Sequence, residues 1–348
     1  MHRGHATEPA RPARRERQDS PVPEAPDRAW IAGLPKAEVH LHLEGCIPSD
    51  VADASPDSPP APAITSLPQL LSHLDRSCRA IERAEQLEEI ARQLSWRAGA
   101  GGVRHVDVIV NPWHWPSWRD RLAAMVDALD GPLTESEQDG GPTVGLCVSL
   151  SRTFSAAQAN ELVDRVLSLG HRRVVALSID GDETMGSHND RFAAAFERAG
   201  WGGLHRCAHA GESSGAQGVR EAIDILGAER IDHGIRCVED PTLVRELAAR
   251  EIPLDICPTS NVVLGIVADL ASHPIDALRR AGVAVSLNTD DPLLYGIDLI
   301  GEYERCAAAL GWGPADLAEM ARTSIESCFA TADRRAELLR ELDRYLAT

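Results

Sequence analysis

Short apolar runs of strand length recur eight times along this chain, and segments with helical hydrophobic spacing separate them. The runs are Glu38–Glu44 (EVHLHLE), Val103–Val110, Thr143–Leu150, Val174–Asp180, Leu204–His209, a short one around Arg230–His233, Pro253–Cys257 and Val283–Asn288. Between them, helix-period segments cover about 67–99, 116–129, 155–169, 188–199, 216–226, 240–250 and 274–281. Apolar strands alternating with helices are the pattern of a parallel sheet covered by helices, and eight such units predict an α/β fold, the (β/α)8 TIM barrel. Further helical segments at 298–310, 314–323 and 333–346 follow the last strand and are expected outside the barrel as additional C-terminal helices.

Residues 1–29 are rich in Pro, Arg, Glu and Ala without an apolar period, so they read as a disordered arm, leaving 30–348 as a single barrel domain. A second Pro-rich stretch, Ser55 to Pro62, reads as an excursion after the first strand.

The formal charge of −18, from 35 basic and 53 acidic residues, argues against a nucleic-acid partner, which calls for basic patches. A small neutral or cationic ligand is the easier fit. Eight cysteines occur without a C-x-x-C pair, mostly inside apolar runs, and read as buried free thiols of a cytoplasmic protein. No run approaches the 18 or so apolar residues of a membrane helix, so no membrane partner is expected. Nothing in the sequence sets an oligomeric state.

Barrel active sites gather at the carboxyl ends of the strands, and here those ends are rich in chemistry. His40 and His42 alternate with Val39, Leu41 and Leu43, so both imidazoles face one point, as a metal such as zinc requires. His209 closes the fifth run, and Glu212 follows across a glycine turn as a candidate acid/base. His233 lies in Asp232-His-Gly234, where it either caps a turn or holds or deprotonates a water beside the metal. Asp290 and Asp291 are adjacent and point in different directions, so one can reach the metal and the other the ligand; an Asx-turn is the bland alternative. Three histidines and one aspartate leave a position for water, the open coordination of a catalytic zinc.

The motifs Leu34-Pro-Lys-Ala-Glu-Val-His-Leu-His-Leu-Glu-Gly45, Asp180-Gly-Asp-Glu183, His209-Ala-Gly-Glu212, Arg230-Ile-Asp-His-Gly234, Ile256-Cys-Pro-Thr-Ser-Asn261 and Ser286-Leu-Asn-Thr-Asp-Asp-Pro292 occur in this order, and as a set they resemble the adenosine deaminase family of metal-dependent hydrolases. The resemblance implies one zinc ion per chain held by His40, His42, His209 and Asp290. It implies that Glu212 carries a proton to N1 of a purine and that His233 orients and deprotonates the attacking water. Asp291 is implied to bond N7, and the backbone N–H of Gly181 to bond N3. The expected reaction is hydrolytic deamination of a 6-aminopurine nucleoside, adenosine to inosine and ammonia. Cytidine-deaminase-type zinc enzymes carry H-x-E and P-C-x-x-C, whereas this chain has H-x-x-E and no P-C-x-x-C.

Three features depart from the family. Glu44 stands where adenosine deaminases usually place an aspartate for the ribose 5′-hydroxyl, and the glutamate form is more like the adenine deaminase branch. The region from Gly45 to about Gly102 is short, with Leu67, Leu70, Leu71 and Leu74 as its one amphipathic stretch, so a more open pocket is expected. Trp113, Trp115 and Trp118 follow the second strand and either stack on a heterocycle or staple the next helix. The alternatives are therefore deamination of free adenine, another amino-heterocycle or a modified nucleoside, and, in a different class, a non-catalytic purine-binding barrel. Ammonia release from a substrate panel separates them.

Overall fold

The computed structural model describes residues 26–52, 64–184 and 189–348. Most of the expected arm and the Pro-rich stretch at 55–62 lie outside these residues. Eight parallel strands follow one another around a single sheet: β1 (Lys36–His42), β2 (Val103–Val110), β3 (Thr143–Ser151), β4 (Val174–Asp180), β5 (His205–Ala210), β6 (Arg230–His233), β7 (Leu254–Ile256) and β8 (Val285–Leu287). The sheet closes beyond β8. Leu41 pairs in parallel with Asp290, His42 N–H donates to Asp290 O at 2.9 Å, and Asp290 N–H donates to His40 O at 3.2 Å. The (β/α)8 barrel is thus the observed architecture, and the helices Leu299–Leu310, Pro314–Ser327 and Ala332–Leu346 follow the last strand.

Local chemistry explains most helix boundaries. Ser155 caps the helix Ala156–Leu169 in a capping box with Gln158, and Asp240 caps Pro241–Ala249. Two expectations shift. The segment expected as one helix over 67–99 is two, Leu67–Arg79 and Ala84–Ala100, and the turn between them seats buried Ile81. The helix expected to end at 129 runs instead from Leu122 to Gln138 through Pro132, because Leu129, Pro132 and Leu133 continue the buried face begun by Met125 and Val126. Packing here overrides the Asp130-Gly-Pro132 stop signal. At the amino end, Asp27 accepts from Trp30 N–H and caps the helix Arg28–Gly33, so Arg28 and Ala29 belong to the folded body.

Beneath the site lies a buried ionic cluster. Arg230 on β6 pairs with Asp107 at 2.7 Å and with Asp255, donates to Val39 O, and lies over the Phe329 ring. It ties β1, β2, β6 and β7 together. All eight cysteines are free and buried, and among the described residues no helix is long and apolar enough to cross a membrane.

Candidate active site

The sequence-predicted donors converge. His42 Nε2 lies 3.0 Å and His40 Nε2 3.1 Å from His209 Nε2, while Asp290 Oδ1 stands 3.4 Å from His40 Nε2 and 3.3 Å from His42 Nε2. A tetrahedral centre with bonds of about 2.05 Å spaces its donors about 3.3 Å apart, so these four atoms already stand at metal-ligand spacing. The outer edges of the rings face the protein. His40 Nδ1 is 3.0 Å from Asp255 O, and His209 Nδ1 faces Asp232 Oδ2 at 3.3 Å, which leaves the inner nitrogens as lone pairs. Ser260 Oγ donates to the second oxygen of Asp290 at 2.7 Å. Burial holds His42 down to about 4, as a neutral ligand requires. The four groups fit one divalent cation.

A second grouping, His40, His233, Cys257 and Asp290, also converges. Burial raises the Cys257 thiol well above its usual range, so it keeps its proton and is the poorer donor. His233 and Asp290, at φ 66° and 64°, are two of the three non-glycine residues with left-handed backbone among those described. Such strain costs of order 1–3 kcal/mol per residue and collects at functional sites.

Glu212 sits in a loop fixed at both ends. Arg152 donates to His209 O at 2.6 Å, and Glu183 accepts from the N–H groups of Gly211, Glu212 and Ser213 at 2.8–2.9 Å and from the Ser214 hydroxyl. Gly211, at φ 71°, is needed because a Cβ there would lie 2.4 Å from Val219. Glu212 Oε1 stands 3.5 Å from His233 Nε2 and has no hydrogen-bond partner among the described residues. Burial, with the charges of Asp290 and Glu183 behind it, raises this carboxyl well above the usual range.

Asp291 Oδ1 is likewise buried and unpartnered, and burial, then Asp290 and Glu44, raises its carboxyl well above the usual range. Gly45 allows this packing, since a Cβ there would fall 2.2 Å from Asp291 Oδ1. Gly181, at φ 97°, presents bare backbone to the same cavity, together with His42, His209, Glu212 and Asp291.

Leucines form one wall of the cavity. Leu67, Leu70, Leu71 and Leu74 line it from the helix Leu67–Arg79, and that face packs against Leu264 and Tyr295. His114 also lines it but is paired with Asp75 of that helix at 2.6 Å, which makes it a latch for the leucine helix and no metal ligand. Glu44 is not among the lining residues. Its Oε1 accepts from Asn111 N–H at 2.8 Å and from the Trp115 indole at 2.6 Å, and burial lifts its carboxyl to about 7. Two of the three tryptophans are staples: Trp115 and Trp118 are buried, and Trp118 donates to Ile81 O, whereas Trp113 is exposed. Sequence reasoning gave no role to Glu183, Asp232, Ser260 or Asn261, although each lies inside a motif, and Arg152 carried no signal beyond following a strand.

Barrel and site together fit the class of hydrolases that hold a metal ion at the strand ends. The profile described as Adenosine deaminase matches residues 35–345, and the chain belongs to that family, hydrolases acting on C–N bonds of cyclic amidines. An adenine deaminase from Rhodopseudomonas palustris is 33% identical over 332 residues, 92% of this chain and 96% of that one. An aminodeoxyfutalosine deaminase from Streptomyces coelicolor is 33% identical over 337 residues, covering 92% and 86%. Among solved structures, an adenine deaminase from Arthrobacter aurescens is 32% identical with a TM-score of 0.85, covering 90% of this chain and all of that one. A zinc-bound amidohydrolase from Burkholderia ambifaria is 25% identical with a TM-score of 0.81, covering 96% of each.

Proposed function

We propose that this protein is an aminopurine deaminase whose substrate is free adenine, converted to hypoxanthine and ammonia with one zinc ion as cofactor. The observation that carries the choice of base over nucleoside is Glu44. The residue standing where the family's nucleoside enzymes meet the ribose 5′-hydroxyl is here a buried glutamate outside the cavity lining, its Oε1 taken by Asn111 N–H and the Trp115 indole and its Oε2 buried without a partner among the described residues, beside a cavity lined by leucines. The adenine deaminases at 32–33% identity over nearly the whole chain support the same reading, so adenosine, the first expectation, gives way to the alternative.

Zinc suits three imidazoles and a carboxylate, and when bound it supplies a Lewis acid that makes water acidic at neutral pH. The chain's own groups do the rest. The Gly181 N–H meets N3 and the Asp291 carboxyl bonds N7, which together set the ring with C6 toward His40, His42, His209 and Asp290. Glu212 delivers a proton to N1, stabilising the charge that attack at C6 places there. His233 orients the attacking oxygen, and the leucine helix excludes bulk water. Ammonia departs as the C6–N6 bond breaks, N6 taking the remaining proton of the added hydroxyl as the C6 carbonyl forms.

Ammonia release by metal-loaded protein tests this. Adenine should exceed adenosine in kcat/KM by at least about a hundredfold, since a sugar has to displace packed side chains. Equal or better turnover of adenosine overturns the base assignment. No ammonia from any aminopurine at full metal content restores the non-catalytic barrel. The S. coelicolor relative favours a second reading, a larger 6-aminopurine nucleoside, so aminodeoxyfutalosine belongs in the panel.

A further inference from the structure

His233 is held from behind by three hydrogen bonds in series, and the last of them starts from a backbone amide. Ile275 N–H donates to His273 Nδ1 at 3.2 Å. A backbone N–H can only donate, so His273 Nδ1 is a lone pair. Burial pushes this imidazole down to about 4, and the neutral ring then carries its proton on Nε2. That nitrogen lies 3.2 Å from Asn261 Oδ1 and donates to it. The bond fixes which way the Asn261 amide faces. Its Nδ2 is turned to His233 Nδ1 at 3.3 Å, and an amide NH2 only donates. His233 Nδ1 is therefore an acceptor. The proton of the neutral ring sits on Nε2, the edge that faces Glu212 Oε1 at 3.5 Å, with the His40 ring centroid 4.5 Å from that of His233.

We propose that Asn261 and His273 are positioning residues that fix neutral His233 as its Nε2–H tautomer, so that this ring meets the attacking oxygen as a hydrogen-bond donor and not as its base. The identity of that oxygen rests on the deaminase reading above. This replaces the deprotonating role expected for His233 from the family resemblance. Glu212, which burial keeps protonated, gives its proton to N1 and then takes the one lost by the water, so the oxygen–carbon bond forms while His233 stays neutral. A donor at this place fixes the orientation of the oxygen and leaves a remaining lone pair to face C6.

The test is Asn261→Asp, which keeps the shape and removes the donor. A carboxylate accepts from both His273 Nε2–H and His233 Nδ1–H, so it inverts the His233 tautomer, as a matched amide-for-carboxylate exchange does in hydrolytic triads. Nitrogen-15 NMR of histidine-labelled, zinc-loaded protein reads this directly, with His233 assigned by its loss in His233→Gln. In the parent, His233 Nδ1 should resonate as an unprotonated nitrogen and Nε2 as a protonated one. Asn261→Asp should exchange them and lower kcat at least about tenfold, with adenine KM and metal content kept. His273→Gln, which can still donate to Asn261 Oδ1, should retain the parent pattern, whereas His273→Phe should not. A protonated Nδ1 in the parent, or an exchanged pattern with unchanged kcat, overturns the proposal. If Asn261→Asp fails to fold, the parent spectrum still decides. The spectrum needs no substrate, so failure of adenine turnover leaves this result standing, and failure of the tautomer assignment leaves the substrate reading intact.

Discussion

Glu183→Gln removes one acceptor from a carboxylate that serves four donors. Oε1 takes the N–H groups of Glu212 and Ser213, and Oε2 takes that of Gly211 and the Ser214 hydroxyl. A glutamine does least harm with its NH2 on the Oε2 side, where the Ser214 hydroxyl can rotate to accept. The Gly211 N–H is then left facing another donor while buried. Losing one charge-assisted bond and stranding its donor costs about 1.5–3 kcal/mol. For a domain of this size that lowers Tm by roughly 2–5 °C. The catalytic effect has a different origin. The Glu212 loop is freed at one end while Arg152 still holds the other, and a displacement of about 1 Å at a reacting group costs up to about a hundredfold in rate. We expect kcat for ammonia release to fall about 10- to 100-fold with KM and metal content near the parent values. Calorimetry, metal analysis and steady-state kinetics on one preparation separate the two effects. A lower Tm with unchanged kcat refutes the idea that Glu183 sets the position of Glu212.

Glu212→Gln keeps the backbone bonds to Glu183 but has no proton to transfer, so zinc content should survive while kcat falls at least about a hundredfold; near-normal kcat would place the proton route elsewhere. Gly45→Ala forces a methyl into Asp291, and this overpacking of about 1–3 kcal/mol should lower adenine kcat/KM at least about tenfold with metal retained, as kinetics and elemental analysis on the same sample will show. A chain beginning at Asp27 keeps the helix cap and the Arg28 pairs to Asp298 and Glu304, so its turnover and thermal midpoint should match those of the full chain; loss of either means that the preceding residues dock on the barrel.

The convergence of His40 and His42 was legible because a strand's two-residue period puts them on one side without reference to anything distant. His209 and Asp290 were legible because barrel strands end where the chemistry is. Properties that depend on partners far along the chain were not. Leu67, Leu70, Leu71 and Leu74 looked like one weak stretch over an open pocket, since Leu264 and Tyr295, which pack against that face, lie about 190 residues or more away. Glu44 looked free to meet a ligand until Trp115, 71 residues on, was seen to hold its oxygen. The helix through Pro132 was hidden by a turn signal that is locally sound and overruled by burial.

The hydrogen bonds that shut the barrel belong to the metal donors themselves: His42 N–H to Asp290 O, and Asp290 N–H to His40 O. On the ribosome, His40 and His42 emerge early and then wait for about 250 more residues before their fourth companion is made. Joining positions so far apart is slow and entropically unfavourable, and until it happens β1 lacks its β8 neighbour. An ion that bridges the two ends rewards only the finished chain. A nascent or truncated product ending before Asp290 has neither the seam nor the full set of proposed donors, so under the zinc reading metal uptake doubles as a check that synthesis ran to completion.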